Sequence, residues 1–83
     1  MKELSETIEK MKSANYRDRF IAEYEQTKIR YNKLHKLIVQ YEANTLFFKP
    51  TCDIELLKKQ ANAMGSYLYC LEVRAELEGI ILW

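Results

Sequence analysis

The chain has little that interrupts a helix: two glycines, Gly65 and Gly79, and one proline, Pro50, in 83 residues. These residues punctuate helical segments, so their scarcity predicts a protein made mostly of helix. Cysteine is equally sparse. Cys52 and Cys70 are too few for a disulfide framework and too far apart for a redox or zinc pair. A single histidine, His35, with no His/Cys cluster, argues against a dedicated metal site. No apolar run approaches the ~20 residues that span a bilayer, because charges interrupt every segment, and no membrane association is expected. The opening stretch Met1–Glu6 has no apolar core of a signal peptide. An excess of one charge sign is missing too. Thirteen Lys+Arg against twelve Asp+Glu leave +1, which excludes a uniformly basic coat, and neither DNA nor RNA is an expected partner. There is no Gly-rich phosphate loop, no Gly-x-Ser-x-Gly elbow and no His-Glu-x-x-His pair. No catalytic residue and no cofactor are predicted, and the chain is not expected to be an enzyme. These absences together describe a reduced, cytoplasmic protein.

What is present is helical patterning. Hydrophobic residues at 48% and charged residues at 30% argue against disorder, and 83 residues allow one small domain. From Phe20, a seam runs through Tyr24, Thr27, Tyr31, Leu34, Ile38 and Tyr41 at spacings of 4, 3, 4, 3, 4, 3. Asn15 fits the cap before it, and Asp18 suits the positive end of the helix dipole. A second seam runs through Ile54, Leu57, Ala61, Met64, Leu68, Leu71, Ala75 and Glu78, with Thr51 as its predicted cap and Gly79 past its end. The expected fold is all-α: one domain over 1–83, with helices over 15–42 and 52–78 paired as an antiparallel hairpin. The connection over 43–51 carries Leu46-Phe47-Phe48, expected to fold over the open end, and the tail over 79–83 is apolar. Residues 1–13 repeat the amphipathic pattern and read as a short separate helix, with one continuous long helix as the alternative.

The second helix carries a further row: Leu56, Gln60, Ala63, Tyr67, Cys70, Arg74 and Leu77, again at spacings of 4 and 3. One helix partner covers one seam, so two adjacent seams need two coverings. Together with Ile80-Ile81-Leu82-Trp83 this is more apolar surface than a two-helix hairpin hides, and homo-oligomerisation is the expected solution. The alternative is a compact three-helix monomer with its tail folded in. Cys70 in this row reads as a small buried hydrophobe, and His35 as a solvated surface residue.

The same rows supply groups for binding an anion and a base. Arg19, Glu23, Gln26, Arg30, Lys33 and Leu37 flank the first seam, and Gln60, Tyr67 and Arg74 lie in the second row. Arginine offers planar, bidentate recognition of phosphate, and tyrosine stacks while its hydroxyl donates. The competing reading is a solvated face held by ordinary ion pairs.

The run Arg19-x-x-x-Glu23-Tyr24-x-x-x-Lys28-x-Arg30-x-x-Lys33-Leu34, followed by Leu57-x-x-Gln60-x-x-Ala63-Met64-x-x-Tyr67-Leu68-x-x-Leu71-x-x-Arg74, resembles a family of small phage proteins over residues 16–79. These are helical hairpins of phages of gut and Gram-positive bacteria, related to a crAss-like phage protein. More distantly, the pattern Gln60, Ala63-Met64, Tyr67, Leu68, Arg74-Ala75 is similar to the last helix of phage anti-CBASS sponges, though without that helix's aromatic-Met-Trp and closing Pro elements. The resemblance implies an oligomeric sponge in the cytoplasm of an infected bacterial host. Such a protein captures a cyclic nucleotide or ADP-ribose-derived immune signal of the CBASS or Thoeris type and leaves it uncleaved. On that reading Arg19, Arg30, Lys33 and Arg74 contact phosphate, Tyr16 or Tyr67 stacks on a base, and Gln60 reads polar groups. The rivals are a protein-binding inhibitor anchored by the Leu46–Phe48 loop and tail, and a small oligomeric structural or regulatory phage protein with no ligand.

Overall fold

A computed structural model describes residues 15–83; the short helix expected over 1–13 lies outside the described residues. Two helices account for the regular structure, α1 over Tyr16–Glu42 and α2 over Ile54–Glu78, and there is no strand among the described residues. The start of α1 is fixed by Asn15, whose side-chain oxygen accepts from the backbone N–H of Arg17 at 2.7 Å and of Asp18 at 3.4 Å. Those are donors of the first turn that have no carbonyl to reach. At the far end Asn44 turns left-handed with φ 60°, and the N–H groups of Thr45 and Leu46 return to the Gln40 carbonyl at 2.9 and 3.3 Å. Asparagine is among the few residues that tolerate that conformation.

The second helix starts later than the sequence predicts. Asp53, not Thr51, is its cap: its side chain accepts from Glu55 N–H, and its carbonyl receives Leu56 and Leu57 N–H at 3.1 and 3.2 Å. A carboxylate at the positive end of the helix dipole is favoured over a neutral hydroxyl, so the helix is capped at the acid. Thr51 and Cys52 consequently belong to the connection, and Cys52 is exposed outside the first turn. The exit from α2 is a glycine turn. Gly79 has φ 70°, and both Gly79 N–H and Ile80 N–H bond to the Ala75 carbonyl, the latter at 2.8 Å. This turn folds the tail back onto the helix it has just left, and buries Ile80 to 6% exposure.

The helices run antiparallel, since Tyr16 meets Glu78, Tyr24 meets Glu72, and Lys58 pairs with Glu42. The core is Phe20, Tyr24, Leu68, Leu71, Ala75 and Ile80, with Ile21, Tyr31 and Leu82 packed against it. It lies where α1 begins and α2 ends. Toward the connection the seam thins: Leu34, Ile38 and Leu57 are half-buried and Tyr41 is exposed. The Leu46–Phe48 segment does not close that end. Phe47 stands 92% exposed, its ring edge-on to Phe48 at 5.3 Å. Gly65 faces the Tyr31 ring, whose Cε1 lies 3.4 Å from where a β-carbon would sit. A second strip of α1, Ala22 and Ile29, is also buried, although it lies roughly 150° round the helix from Tyr24.

Candidate functional site

Polar groups from both helices converge on one side of the hairpin, at the end that holds the core. Arg74 of α2 reaches across to α1. Its Nη2 donates to the Tyr16 hydroxyl at 2.9 Å, its Nε to Glu78 Oε2 at 3.4 Å, and its guanidinium lies over the Phe20 ring, 5.1 Å from the centroid. The Tyr16 hydroxyl in turn donates to Glu78 Oε1 at 2.8 Å. A guanidinium has five N–H groups, so three remain for a ligand after these two bonds. The Tyr16 hydroxyl first, and the Glu78 carboxylate with it, raise the Arg74 pKa above its ordinary value, so the group stays charged at any physiological pH. Beside it Arg17 Nη1 donates to the Gly79 carbonyl at 3.0 Å, tying the start of α1 to the turn that ends α2.

On the same side, the Tyr67 hydroxyl donates to Glu23 Oε1 at 3.2 Å, and the Thr27 hydroxyl donates to that oxygen at 3.3 Å. Partial burial first, then the Glu23 carboxylate, raise the Tyr67 pKa. Tyr16, Tyr67 and Arg74 are thus brought to one face, where Tyr16 is 50% and Tyr67 44% exposed. The remaining predicted ligand residues are spread along the hairpin. Arg19 and Arg30 are exposed on α1, and Lys33 lines a shallow cavity of about 440 Å³ with Ile29, Asn32, His35 and Lys36. Gln60 is exposed, with Nε2 3.9 Å from Met64 Sδ, fourteen residues and about 21 Å along α2 from Arg74. Within one chain the seven residues therefore close no pocket together: Tyr16, Tyr67 and Arg74 share an open face, and the other four are spread along the hairpin.

Burial corrects one premise. Gln60, Cys70 and Arg74 sit in no buried row: Leu56, Gln60, Ala63, Tyr67, Cys70, Arg74 and Leu77 are all exposed in the single chain. The tail divides. Ile80 enters the core, while Ile81 and Trp83 stay 79% and 74% exposed, Trp83 edge-on to Tyr24 at 6.4 Å. Phe20, Arg17 and Glu78 belong to the site although periodicity does not select them for it. For Glu78 a signal existed: it is the lone carboxylate in an otherwise apolar seam, and such a group needs a polar partner. Among the described residues no group of three or more His, Cys, Asp or Glu could hold a metal ion.

A model of the Sequestin family matches residues 14–77, from just before α1 to the last turn of α2. No curated protein and no solved structure matches the chain.

Proposed function

The chain belongs to the Sequestin family, and on that footing we propose that it is a phage anti-defence sponge. It binds a nucleotide-derived immune second messenger, a cyclic oligonucleotide or a cyclic ADP-ribose-type molecule, and withholds it uncleaved in the host cytoplasm. The family's name points to sequestration of a molecule; the ligand class is our reading. The observation that carries it is Arg74: a permanently charged guanidinium over the Phe20 ring, held by Tyr16 and Glu78, with three donors left over from those bonds. Phosphate oxygens match such a fork, and the flanking Tyr16 and Tyr67 rings offer faces for a base. Arg19, Arg30 and Lys33 on the α1 edge add phosphate contacts, and Gln60 adds polar readout. The open face needs a second wall, which a homo-oligomer provides.

Calorimetry with a panel of cyclic di- and trinucleotides and cyclic ADP-ribose isomers tests this. Binding tighter than about 10 μM, roughly −6.8 kcal/mol, is expected for one of them. The ligand should return unchanged after the protein is heat-denatured. Silence across the panel overturns the sponge. A second reading, an inhibitor that docks on a host protein, is favoured by one observation: the 92% exposure of Phe47 at the tip of the connection. It predicts one stoichiometric protein partner in a bacterial lysate, lost on Phe47→Asp.

A further inference from the structure

Arg74, Tyr16 and Glu78 close a ring of contacts. Arg74 Nη2 donates to the Tyr16 hydroxyl at 2.9 Å, that hydroxyl donates to Glu78 Oε1 at 2.8 Å, and Arg74 Nε donates to Glu78 Oε2 at 3.4 Å. The Nε and Nη2 N–H groups form one edge of a guanidinium, the edge that grips two oxygens of a carboxylate or phosphate together. Here one oxygen of Glu78 meets that edge directly, and the other meets it through the Tyr16 hydroxyl. The chain's own carboxylate therefore stands where an anionic ligand would. The leftover N–H groups of Arg74 give direction, but Glu78 cancels the charge behind them.

This carboxylate is placed to be displaced. Its contact with Nε, 3.4 Å, is long beside the about 2.7–2.9 Å of a strong charge-assisted bond. Glu78 is the last residue of α2, at the negative end of the helix dipole, where a carboxylate is disfavoured and no basic residue of the last turn offsets it. Its side chain is 35% exposed and that of Arg74 52%, so water can take over the hydrogen bonds of either.

We infer that Glu78 is a built-in competitor for Arg74, which gives way when a phosphate enters and keeps simple anions off the site. It lowers the affinity of every anion for the guanidinium. An inorganic anion has only that group to gain, and stays unbound. A nucleotide adds contacts on the flanking Tyr16 and Tyr67 rings and completes the exchange. That choice of ligand rests on the sponge reading, whereas the competition rests on the ring of contacts alone. Glu78 is thereby a specificity-determining residue of the face.

Inorganic pyrophosphate is the probe, titrated at constant ionic strength and followed by the Arg74 Nε–H resonance, which is assigned by its loss in Arg74→Lys. A charge within about 4–6 Å shifts a neighbouring ionic equilibrium by roughly tenfold or more, and solvent screens part of that here. Glu78→Gln keeps the shape and drops the charge, so it should bind pyrophosphate at least about fivefold more tightly than the native chain. Glu76→Gln removes an equal charge from an exposed position of α2 outside the ring, and should gain less than about twofold. A brace that merely held Arg74 gives the opposite sign, weaker binding in Glu78→Gln. No gain in Glu78→Gln, whether both chains bind alike or neither binds, overturns the competitor. So does an equal gain in Glu76→Gln.

The native chain supplies a measurement that no substitution can spoil. Wherever added pyrophosphate shifts Arg74 Nε–H, the Glu78 carboxyl carbon resonance should move with it. A moving Nε–H beside a stationary Glu78 carbon overturns the exchange. The nucleotide panel keeps the two readings apart. Tighter pyrophosphate binding in Glu78→Gln with a silent panel leaves the competitor standing and sinks the sponge. A nucleotide that binds the native chain, with no gain in Glu78→Gln for it or for pyrophosphate, does the reverse.

Discussion

Arg74 lies over the Phe20 ring at 5.1 Å and takes the Tyr16 hydroxyl at 2.9 Å, so one side chain of α2 is held by two aromatic residues of α1 a single turn apart. Tyr16 and Phe20 themselves tilt against each other at 6.2 Å. Under the sponge reading the consequence is orientation: the guanidinium is held in place before a ligand arrives, which lowers the ordering cost of binding. Arg74→Lys keeps the charge but loses the planar fork. Calorimetry on the nucleotide panel should show affinity falling at least tenfold, about 1.4 kcal/mol. The melting temperature should fall by no more than a few degrees, since a cation–π contact at this exposed position contributes only about 0.5–1 kcal/mol.

The two glycines are expected to answer alanine in opposite senses. Gly65 sits inside α2 with the Tyr31 ring at ordinary contact distance from a new β-carbon, 3.4 Å. Gly65→Ala should stabilise by about 0.5–1 kcal/mol through helix propensity. Gly79 has φ 70°, which a β-carbon makes costly although the space around it is empty. Gly79→Ala should cost about 1–2 kcal/mol and loosen the return of Ile80. Urea melts of the two variants check the signs. Trp83 is the single tryptophan, so its emission reports the tail directly.

Stability should fall in alkali. Burial first, then Glu72, raise the Tyr24 pKa, and Tyr67 moves the same way by burial and Glu23. A folded-state pKa above the unfolded value of about 10 favours the protonated form in the native state. The resulting stability is fully present below pH about 10 and is lost as pH rises beyond it, where the unfolded chain releases protons that the folded one keeps. Urea midpoints at pH 7, 9 and 10.5 should be flat across the first pair and drop at the third. Tyr24→Phe should shrink that drop, at a cost near 1 kcal/mol at neutral pH for the lost 2.7 Å bond to Glu72.

Phe47→Asp should leave the unfolding free energy unchanged within about 0.5 kcal/mol, because a side chain 92% exposed contributes almost no burial. Under the sponge reading it also leaves nucleotide affinity unchanged; under the inhibitor reading it abolishes partner capture. Nucleotide calorimetry and lysate capture on this one variant therefore separate the two.

Periodicity carried the fold a long way and the site only part of it. Phe20 and Tyr24 on one seam and Leu68, Leu71 and Ala75 on the other meet in the core because a spacing of 3 and 4 puts side chains on one helix face. The same pattern continues through Leu34, Ile38 and Tyr41 where burial fades, since spacing says which residues share a face and not whether a partner stays close. Thr51 and Asp53 are both competent caps, and only the electrostatics of the first turn separates them. Ala22 and Ile29, one heptad apart, form the buried strip that a search for a single best seam passes over. In the site, Tyr16, Tyr67 and Arg74 could be named from residue chemistry. That Glu78 and Glu23 hold them could not, because both contacts depend on how far one helix slides along the other.

The buried core and the bend of the hairpin lie at opposite ends, and that arrangement bears on how the chain folds. Tyr16–Glu78 and Arg17–Gly79 join residues 62 apart in sequence, and Tyr24–Glu72 joins residues 48 apart. A chain zippering outward from its turn would gain little, since the turn end is the weakly packed one. Closing a loop of about sixty residues costs roughly 1.4 kcal/mol more in chain entropy than closing one of about a dozen, a factor of about ten in rate. This small helical protein should therefore refold more slowly than its helix content implies, with the clasp at its ends, not its bend, as the event that commits it.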